Sequence, residues 1–237
     1  KGEQFPKLIA VNIDGAIGSV MLPAYAREQE RKVKVKKMVR RAIVTSSLIL
    51  FPLMVGLAAI AEPVVKLLLT DKWIGCVPYM QILCIVYALY PINTANLQAI
   101  KALGKSDYFL KLEIIKKIIG IIVLIFTVSH GVFVMAIGQV FVTILSTIIN
   151  SFPNRKLLNY GYFEQIKDIF PNLFIAILMF IVVYIIGYLD FNNVFLLMLL
   201  QILVGAVFYM FLMSIFKLES YIYLLNIIKN KFKEVRK

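Results

Sequence analysis

Long stretches without charge alternate with short charged ones along this chain of 237 residues. No Asp, Glu, Lys or Arg occurs in residues 42–61, 73–100, 118–154, 169–189 and 191–216. An α-helix needs about 20 apolar residues to cross the hydrocarbon core of a bilayer, and every stretch reaches that length. The stretch 118–154 is too long for one crossing, and Ser129-His130-Gly131 is a turn sequence that divides it into two helices.

The pattern predicts seven membrane segments. The first covers about residues 5–25 and is only weakly apolar, and the others cover about 42–61, 76–100, 108–128, 131–150, 170–189 and 194–216. Hydrophobic residues make up 61% of the chain, against about 45–50% in soluble globular domains. The predicted fold is therefore all-α, a polytopic transmembrane helical bundle.

Charge is distributed unevenly among the connections. Residues 27–41 hold eight basic and two acidic residues, and basic residues also dominate 101–117, 155–168 and the tail 217–237. The intervening connections 62–75, 129–131 and 189–193 are neutral or acidic. This alternation follows the positive-inside rule. It predicts that 27–41, 101–107, 151–169 and the C-terminus lie in the cytoplasm.

The basic run 27–41 could also be an arm that binds nucleic acid. However, it contains no aromatic residue, and a membrane segment flanks it on each side. The net charge of +13 is therefore interpreted as a topology signal and a contact for anionic lipid headgroups. Membrane lipids are expected partners, and nucleic acid is not.

Residues 217–237 have a different pattern from the segments before them. Apolar residues recur at spacings of three and four, and basic residues cluster at the end: Leu218, Tyr221, Ile222, Leu225, Ile228 and Phe232, then Lys229, Lys231, Lys233, Arg236 and Lys237. This pattern predicts a basic amphipathic helix at the membrane interface. The chain is accordingly divided into a transmembrane bundle, 1–216, and a cytoplasmic tail, 217–237.

Asp14 breaks the apolar rule in the first segment. A charge at the bilayer centre costs about 2.5–3.5 kcal/mol on insertion scales, so it needs a reason. Nearby, Asn12, Gly15 or Ala16, and Ser19 share one helical face. Such a face either lines a cavity or packs closely against another helix.

The segment from residue 76 carries Asn93 and Asn96, which are three residues apart and share a face just after Pro91. The proline can kink the helix. These amides either hydrogen-bond to neighbouring helices or contact a polar substrate.

The segment 108–128 has an uninterrupted apolar stretch of only eleven residues, 118–128, unless its helix includes Lys111, Glu113, Lys116 and Lys117. Glu113 is three and four residues from Lys116 and Lys117, so these charges can pair. Lysines at this position can extend to the interface. Alternatively, one of them faces a cavity and attracts an anionic substrate.

Nothing in the sequence specifies catalysis. The single histidine, His130, lies in a tight turn, and Cys76 and Cys84 are too far apart on one helix for a disulfide or a metal pair. No P-loop, GxGxxG or HExxH motif occurs. The chain is expected not to be an enzyme and to use neither a cofactor nor a metal.

A series of stretches between about residues 15 and 120 resembles a known family: GSVMLPAYAREQ, then LFPLMVGLAAIAEPVVKLLLTDKWIGCVPYMQILCI, then NTANLQAIKALGKSDYFLKLEIIKK. The series is similar to the C-terminal lobe of polysaccharide-biosynthesis flippases, the Wzx-type and teichuronic-acid-type exporters of the MOP superfamily. That superfamily also contains MATE exporters and MurJ-like lipid flippases.

The resemblance implies one lobe of a two-lobe MATE/MOP-like transporter, with the N-terminal lobe outside this sequence. It implies a bacterial cytoplasmic membrane location and alternating-access translocation of undecaprenyl-pyrophosphate-linked oligosaccharide, such as an O-antigen, capsule or exopolysaccharide repeat unit. Other polysaccharide-assembly membrane proteins are candidate partners. The candidate cavity residues are Lys111, Lys116, Asn93, Asn96, Asp14 and Glu113.

Two alternatives stay open. A MATE-type exporter of small molecules would favour acidic, cation-binding residues, whereas lysines are more numerous here. A membrane-embedded glycan polymerase or ligase would need a sizeable external loop with catalytic groups, and the predicted external connections are short.

Overall fold

The computed structural model describes residues 1–189, 191, 193–216, 218 and 221–222. Over these residues the chain forms nine α-helices: α1 (Gln4–Arg27), α2 (Lys32–Ala59), α3 (Ala61–Leu69), α4 (Val77–Ala88), α5 (Tyr90–Ala102), α6 (Ser106–Val128), α7 (Val132–Leu158), α8 (Tyr162–Ile186) and α9 (Val194–Ile215). A 3-10 turn, Asp71–Cys76, joins α3 to α4. The all-helical prediction is confirmed. The predicted tail 217–237 lies almost entirely outside the described residues.

The connections in the structure are shorter than those predicted from the sequence, because several helices extend beyond their apolar stretches. Helix α2 begins at Lys32, ten residues before the predicted segment, so most of the basic run is helical and not a loop. Helix α7 continues to Leu158. Lys and Arg favour helix, and their long side chains can extend to the interface from a buried backbone. Charge therefore marks the end of a membrane segment but not the end of its helix.

The predicted segment 76–100 is broken into two helices. Helix α4 ends at Ala88 and α5 begins at Tyr90, with Pro91 in the first turn of α5. Proline fits this position because the first backbone N–H groups of a helix have no partner within the helix. The predicted external connection 62–75 is also structured, since it holds α3 and the 3-10 turn.

Among the described residues, six stretches are long and apolar enough to cross a membrane: α1, α2, the stretch Asp71–Ala102, α7, α8 and α9. Helix α6 has 23 residues, but its first half carries the four charges noted above. Helix α6 corresponds to the predicted segment 108–128. The predicted turn at Ser129-His130-Gly131 separates it from α7.

Helix α2 forms the centre of the bundle. Its buried side chains, which include Ile43, Leu50, Phe51 and Met54, pack mainly against α8, α4 and α5. Helix α1 packs on α5, and α9 packs on α8. By contrast, α6 packs chiefly on α7, and Leu112 is its buried residue. Helix α6 therefore lies at the edge of the bundle, beside the end of α5.

Candidate functional site

A groove of about 580 Å³ lies between α1, α5 and α6. Its lining combines small residues, polar groups and three charged side chains: Asp14, Gly15, Gly18, Ser19 and Leu22 from α1; Thr94, Leu97, Gln98 and Lys101 from α5; Phe109 and Glu113 from α6. Charged and amide groups seldom occur together within a membrane bundle unless they serve a ligand or pair with each other. This groove is the candidate site.

The inner end of the groove holds Asp14, which lies near the middle of α1. The hydroxyl of Thr94 donates a hydrogen bond of 2.7 Å to Oδ2 of Asp14. The other carboxylate oxygen, Oδ1, and the side-chain oxygen of Gln98 are buried and accept no hydrogen bond from the described residues. The inner end therefore has unused hydrogen-bond acceptors.

The outer end of the groove holds Lys101, one residue before the end of α5. Its ammonium group lies 4.2 Å from the centre of the Phe109 ring, a favourable cation–π distance. Thr94 and Lys101 are seven residues apart on one helix, so the two ends are separated by about 10 Å along its axis. Positive charge and unused acceptors thus occupy opposite ends of the groove.

Glu113 lines the outer end and is already paired. Its carboxylate lies 2.6 Å from the ammonium group of Lys116 on the same helix. The side chain of Lys116 is only 15% exposed and does not line the groove. The charge of Glu113 is therefore largely offset in place.

The small-residue face of α1 is left uncovered by the described part of the chain. Asn12 and Ser19 are exposed and bond to backbone carbonyls of α1 itself, those of Leu8 and Ala16. A Cβ atom added at Gly15 would meet nothing within 4 Å. Of the two predicted roles, packing against another helix is not fulfilled within these residues, and the face adjoins the groove.

The structure brings two of the predicted site residues together, Asp14 and Glu113, although α1 and α6 are distant in sequence. Lys116 pairs with Glu113 but is not part of the groove lining. Lys111 is exposed and is not part of the groove lining. The lysine in the lining is Lys101, which the sequence analysis did not select.

Asn93 and Asn96 lie elsewhere, at the interface of α5 with α7 and α8. Asn93 donates to the hydroxyl of Thr147 and accepts from the amide of Asn150. Asn96 is fully buried; it exchanges hydrogen bonds of 2.8 and 2.9 Å with Gln165. These contacts favour the interhelical interpretation of both asparagines. Their role in substrate binding stays a prediction.

Thr94, Gln98 and Lys101 were missed because each is unremarkable alone. Their spacing of four and three residues places them on one face of α5, and this signal was available in the sequence. What the sequence could not show is that this face meets Asp14 of α1 and Phe109 of α6.

A second polar cluster fastens the basic end of α2 to the start of α8. Lys36 lies 2.8 Å from Glu164, and Arg40 lies 2.9 Å from Asp168. The hydroxyl of Tyr160 donates to Asp168 over 2.8 Å. Burial, together with this bond to a carboxylate, raises the pKa of Tyr160 above its ordinary value. The cluster stabilises helix packing and contributes nothing to the groove lining.

No group of three or more His, Cys, Asp or Glu that could hold a metal ion is present among the described residues. The groove contains one lysine, two carboxylates and neutral polar groups. Its chemistry suits hydrogen bonding and charge pairing with an amphipathic ligand.

Comparisons with known proteins agree on the type of molecule. Residues 1–78 match the family model described as polysaccharide biosynthesis protein. The lipopolysaccharide biosynthesis protein WzxC of Escherichia coli (strain K12) is 24% identical over 179 residues, which are 75% of this chain and 36% of WzxC. An uncharacterized membrane protein in the cps region of Klebsiella pneumoniae is 30% identical over 149 residues, 61% of this chain and 31% of that protein.

Among solved structures, the lipid II flippase MurJ in its inward closed conformation superposes with a TM-score of 0.73. The superposition covers 91% of this chain and 46% of MurJ at 18% identity, so it shows the fold. The chain spans about a third of the length of the two curated relatives.

The fold and the apolar helices define a multi-pass helical membrane protein with a MurJ-like bundle. The resemblance seen in the sequence is confirmed as a similarity: residues 1–78 match a polysaccharide biosynthesis model, WzxC is a similar protein, and MurJ has a similar fold.

Proposed function

We propose that this chain forms part of a transporter that moves lipid-linked oligosaccharide across the bacterial cytoplasmic membrane. The substrate is an undecaprenyl-pyrophosphate-linked repeat unit of O-antigen, capsule or exopolysaccharide, and transport proceeds by alternating access. One observation carries the proposal: a polar groove with charges from three helices lies within a bundle of membrane-length helices. The relatives named above support it.

The groove suits a substrate with an anionic group, a polar chain and an apolar tail. Lys101 at the outer end would pair with the pyrophosphate, because phosphate lies at headgroup depth while the lipid tail stays in the bilayer. The Phe109 ring holds the ammonium group in place. The sugars would extend toward Thr94, Gln98 and Asp14, about 10 Å deeper.

The proposed orientation follows from charge. Thr94 contacts Asp14, and Leu22 and Lys101 line the same groove further along both helices, so α1 and α5 run in the same direction. Lys101 therefore lies at the end of the bundle where α1 ends and the basic start of α2 follows. If the basic segments and the C-terminus lie in the cytoplasm, the end of the groove that holds Lys101 opens at the cytoplasmic leaflet. This is the leaflet in which the proposed substrate is made. No catalytic step is assigned to the chain.

Complementation tests this proposal. The complete open reading frame that contains this chain is expressed in a strain without its own repeat-unit flippase. Surface polysaccharide and lipid-linked oligosaccharide on the cytoplasmic side are both measured. We expect surface polysaccharide to return and the intermediate to clear. Accumulation of the intermediate despite stable membrane insertion would contradict the proposal.

A small-molecule exporter of the MATE type is the second candidate. The observation that favours it is the position of Asp14, a carboxylate near the middle of a membrane helix, where an organic cation could pair with it. This candidate predicts resistance to cationic drugs in the expressing strain. It also predicts that surface polysaccharide does not return in the complementation strain, whereas the flippase proposal predicts that it does.

A further inference from the structure

The inner end of the groove differs in chemistry from the outer end. Asp14 contributes a carboxylate and Gln98 contributes a side-chain carbonyl, and both have oxygens that accept no hydrogen bond from the described residues. The hydroxyl proton of Thr94 is already donated to Asp14. A ligand placed here must therefore supply hydrogen-bond donors.

Asp14 also has no ion-pair partner among the residues that the structure describes, while Glu113 has Lys116 at 2.6 Å. Lys101 is held over Phe109 at the opposite end, about 10 Å away along α5. The negative charge of Asp14 is thus the uncompensated charge at the inner end. Because this end lies within the membrane bundle, its field is weakly screened.

We infer that Asp14 and Gln98 select the sugars nearest the pyrophosphate, accepting residues that carry hydroxyl or amino groups and rejecting residues that carry a carboxylate. This inference rests on the proposed function and adds the class of repeat unit. Donors of a neutral or amino sugar satisfy the two unused oxygens. A uronic acid placed there would bring a second negative charge beside Asp14 and leave its own acceptors without donors.

Either oxygen of Asp14 can serve this purpose. Rotation about the terminal torsion of an aspartate is nearly two-fold and broad, so the oxygen bonded to Thr94 and the unused oxygen can exchange. Gly18 is closely packed, since an added Cβ atom there would contact the side chains of Thr94 and Gln98 at 3.4 and 3.5 Å. The space for a sugar is the groove itself, about 580 Å³, which Asp14 and the open face at Gly15 line.

The test compares two repeat units in one host strain that lacks its own flippases. One unit begins with neutral sugars, and the other carries a uronic acid next to the pyrophosphate. The complete protein is expressed, and the surface glycan formed from each unit is measured together with its cytoplasmic-side intermediate. We expect export of the neutral unit to exceed export of the acidic unit by about tenfold or more.

Asp14→Asn is the decisive variant because the amide keeps an acceptor for Thr94 and removes the charge. Its ratio of acidic to neutral export should rise at least about tenfold relative to the wild type. Glu62→Gln is the matched control, since that carboxylate is paired with Lys66 on α3 and lies outside the groove lining, and its ratio should stay near the wild-type value. Membrane content of each protein is measured by immunoblot.

The outcomes separate two failures. If the wild type exports both units equally, the inference is overturned while the proposed function stands. The same holds if Asp14→Asn leaves the ratio of acidic to neutral export unchanged. Export of neither unit contradicts the proposed function itself, and the inference falls with it. If Asp14→Asn does not accumulate in the membrane, the wild-type comparison decides alone.

Discussion

Asn96 and Gln165 exchange two hydrogen bonds inside the bundle: each side-chain amide donates to the carbonyl oxygen of the other, over 2.8 and 2.9 Å. Both side chains are almost fully buried. The pair joins α5 to α8, and Asn154 of α7 adds a third amide that donates to Asn96 over 2.6 Å. Three helices are therefore connected through one residue that the sequence analysis had considered for substrate binding.

Gln165→Leu should destabilise the folded bundle by about 1–3 kcal/mol, because it removes both hydrogen bonds between Gln165 and the buried amide of Asn96. The measurement is the thermal unfolding midpoint of the purified complete protein in detergent. Gln81→Leu is the control, since Gln81 makes a single hydrogen bond to the backbone of Ala58 and should cost about 0.6 kcal/mol. Equal loss in the two variants would contradict the special role of the pair.

Gly205 is expected to resist enlargement. A Cβ atom at this position of α9 would lie 2.8 Å from a methyl group of Val183 on α8, and valine has little rotamer freedom in a helix. Gly205→Ala should therefore lower stability by about 1–3 kcal/mol through overpacking. The same unfolding assay applies.

Gly120→Ala provides the comparison for Gly205, because a Cβ atom there would meet nothing within 4 Å. Alanine favours helix over glycine by up to about 1 kcal/mol, so this variant should be as stable as the wild type or slightly more stable. A loss of stability at Gly120 as large as that at Gly205 would show that the contact with Val183 is not the cause.

The pKa of Tyr160 makes stability depend on alkaline pH. Because its folded-state pKa is raised above the unfolded value of about 10, the unfolded chain loses this proton first. The stabilising contribution is complete below about pH 10 and declines as pH rises above that value. Tyr160→Phe should be less stable than the wild type at neutral pH by about 1–3 kcal/mol, since it removes the bond to Asp168.

The difference between Tyr160→Phe and the wild type should shrink as pH increases from about 9 to 11. Chemical denaturation at several pH values measures it, and the other tyrosines affect both proteins equally. If the difference in unfolding free energy between the two proteins stays constant across this range, ionisation of Tyr160 is not the cause of the pH dependence.

Lys101 should matter more for export than Lys111. Lys101→Ala removes the lysine of the groove and should reduce export in the complementation assay by about tenfold, the effect of losing one charged hydrogen bond. Lys101→Arg keeps the charge above Phe109 and should retain much of the activity. Lys111→Ala is the matched control because Lys111 is exposed outside the lining. The reverse order would return the role to Lys111, as the sequence alone suggested.

Much of the architecture could be predicted from the pattern of charge and hydrophobicity. A membrane segment needs a long uncharged run, and such a run is visible in one dimension, so the segments that became α2, α7, α8 and α9 were located correctly. The tight turn before Val132 and the break near Pro91 were also visible, because turn residues and proline act locally. Helix ends were less accurate, since Lys and Arg continue a helix beyond its apolar part.

The candidate site depended on contacts that no local pattern contains. Asp14 and Glu113 were recognised as exceptions in the sequence, because a charge within a membrane segment always needs compensation. Their meeting in one groove was decided by the packing of α1 against α5 and of α5 against α6. The same packing brought Lys101 into the groove and left Lys111 outside it.

The sequence by itself determined the class of protein, the position of most membrane segments and the residues that need an explanation. The tertiary structure alone decided which of those residues face a groove and which pair with each other inside the bundle. The physical reason is that the cost of burying a given polar group depends on the partners that surround it. A helical sequence specifies on which face a side chain lies, but only the neighbouring helices specify what that face meets.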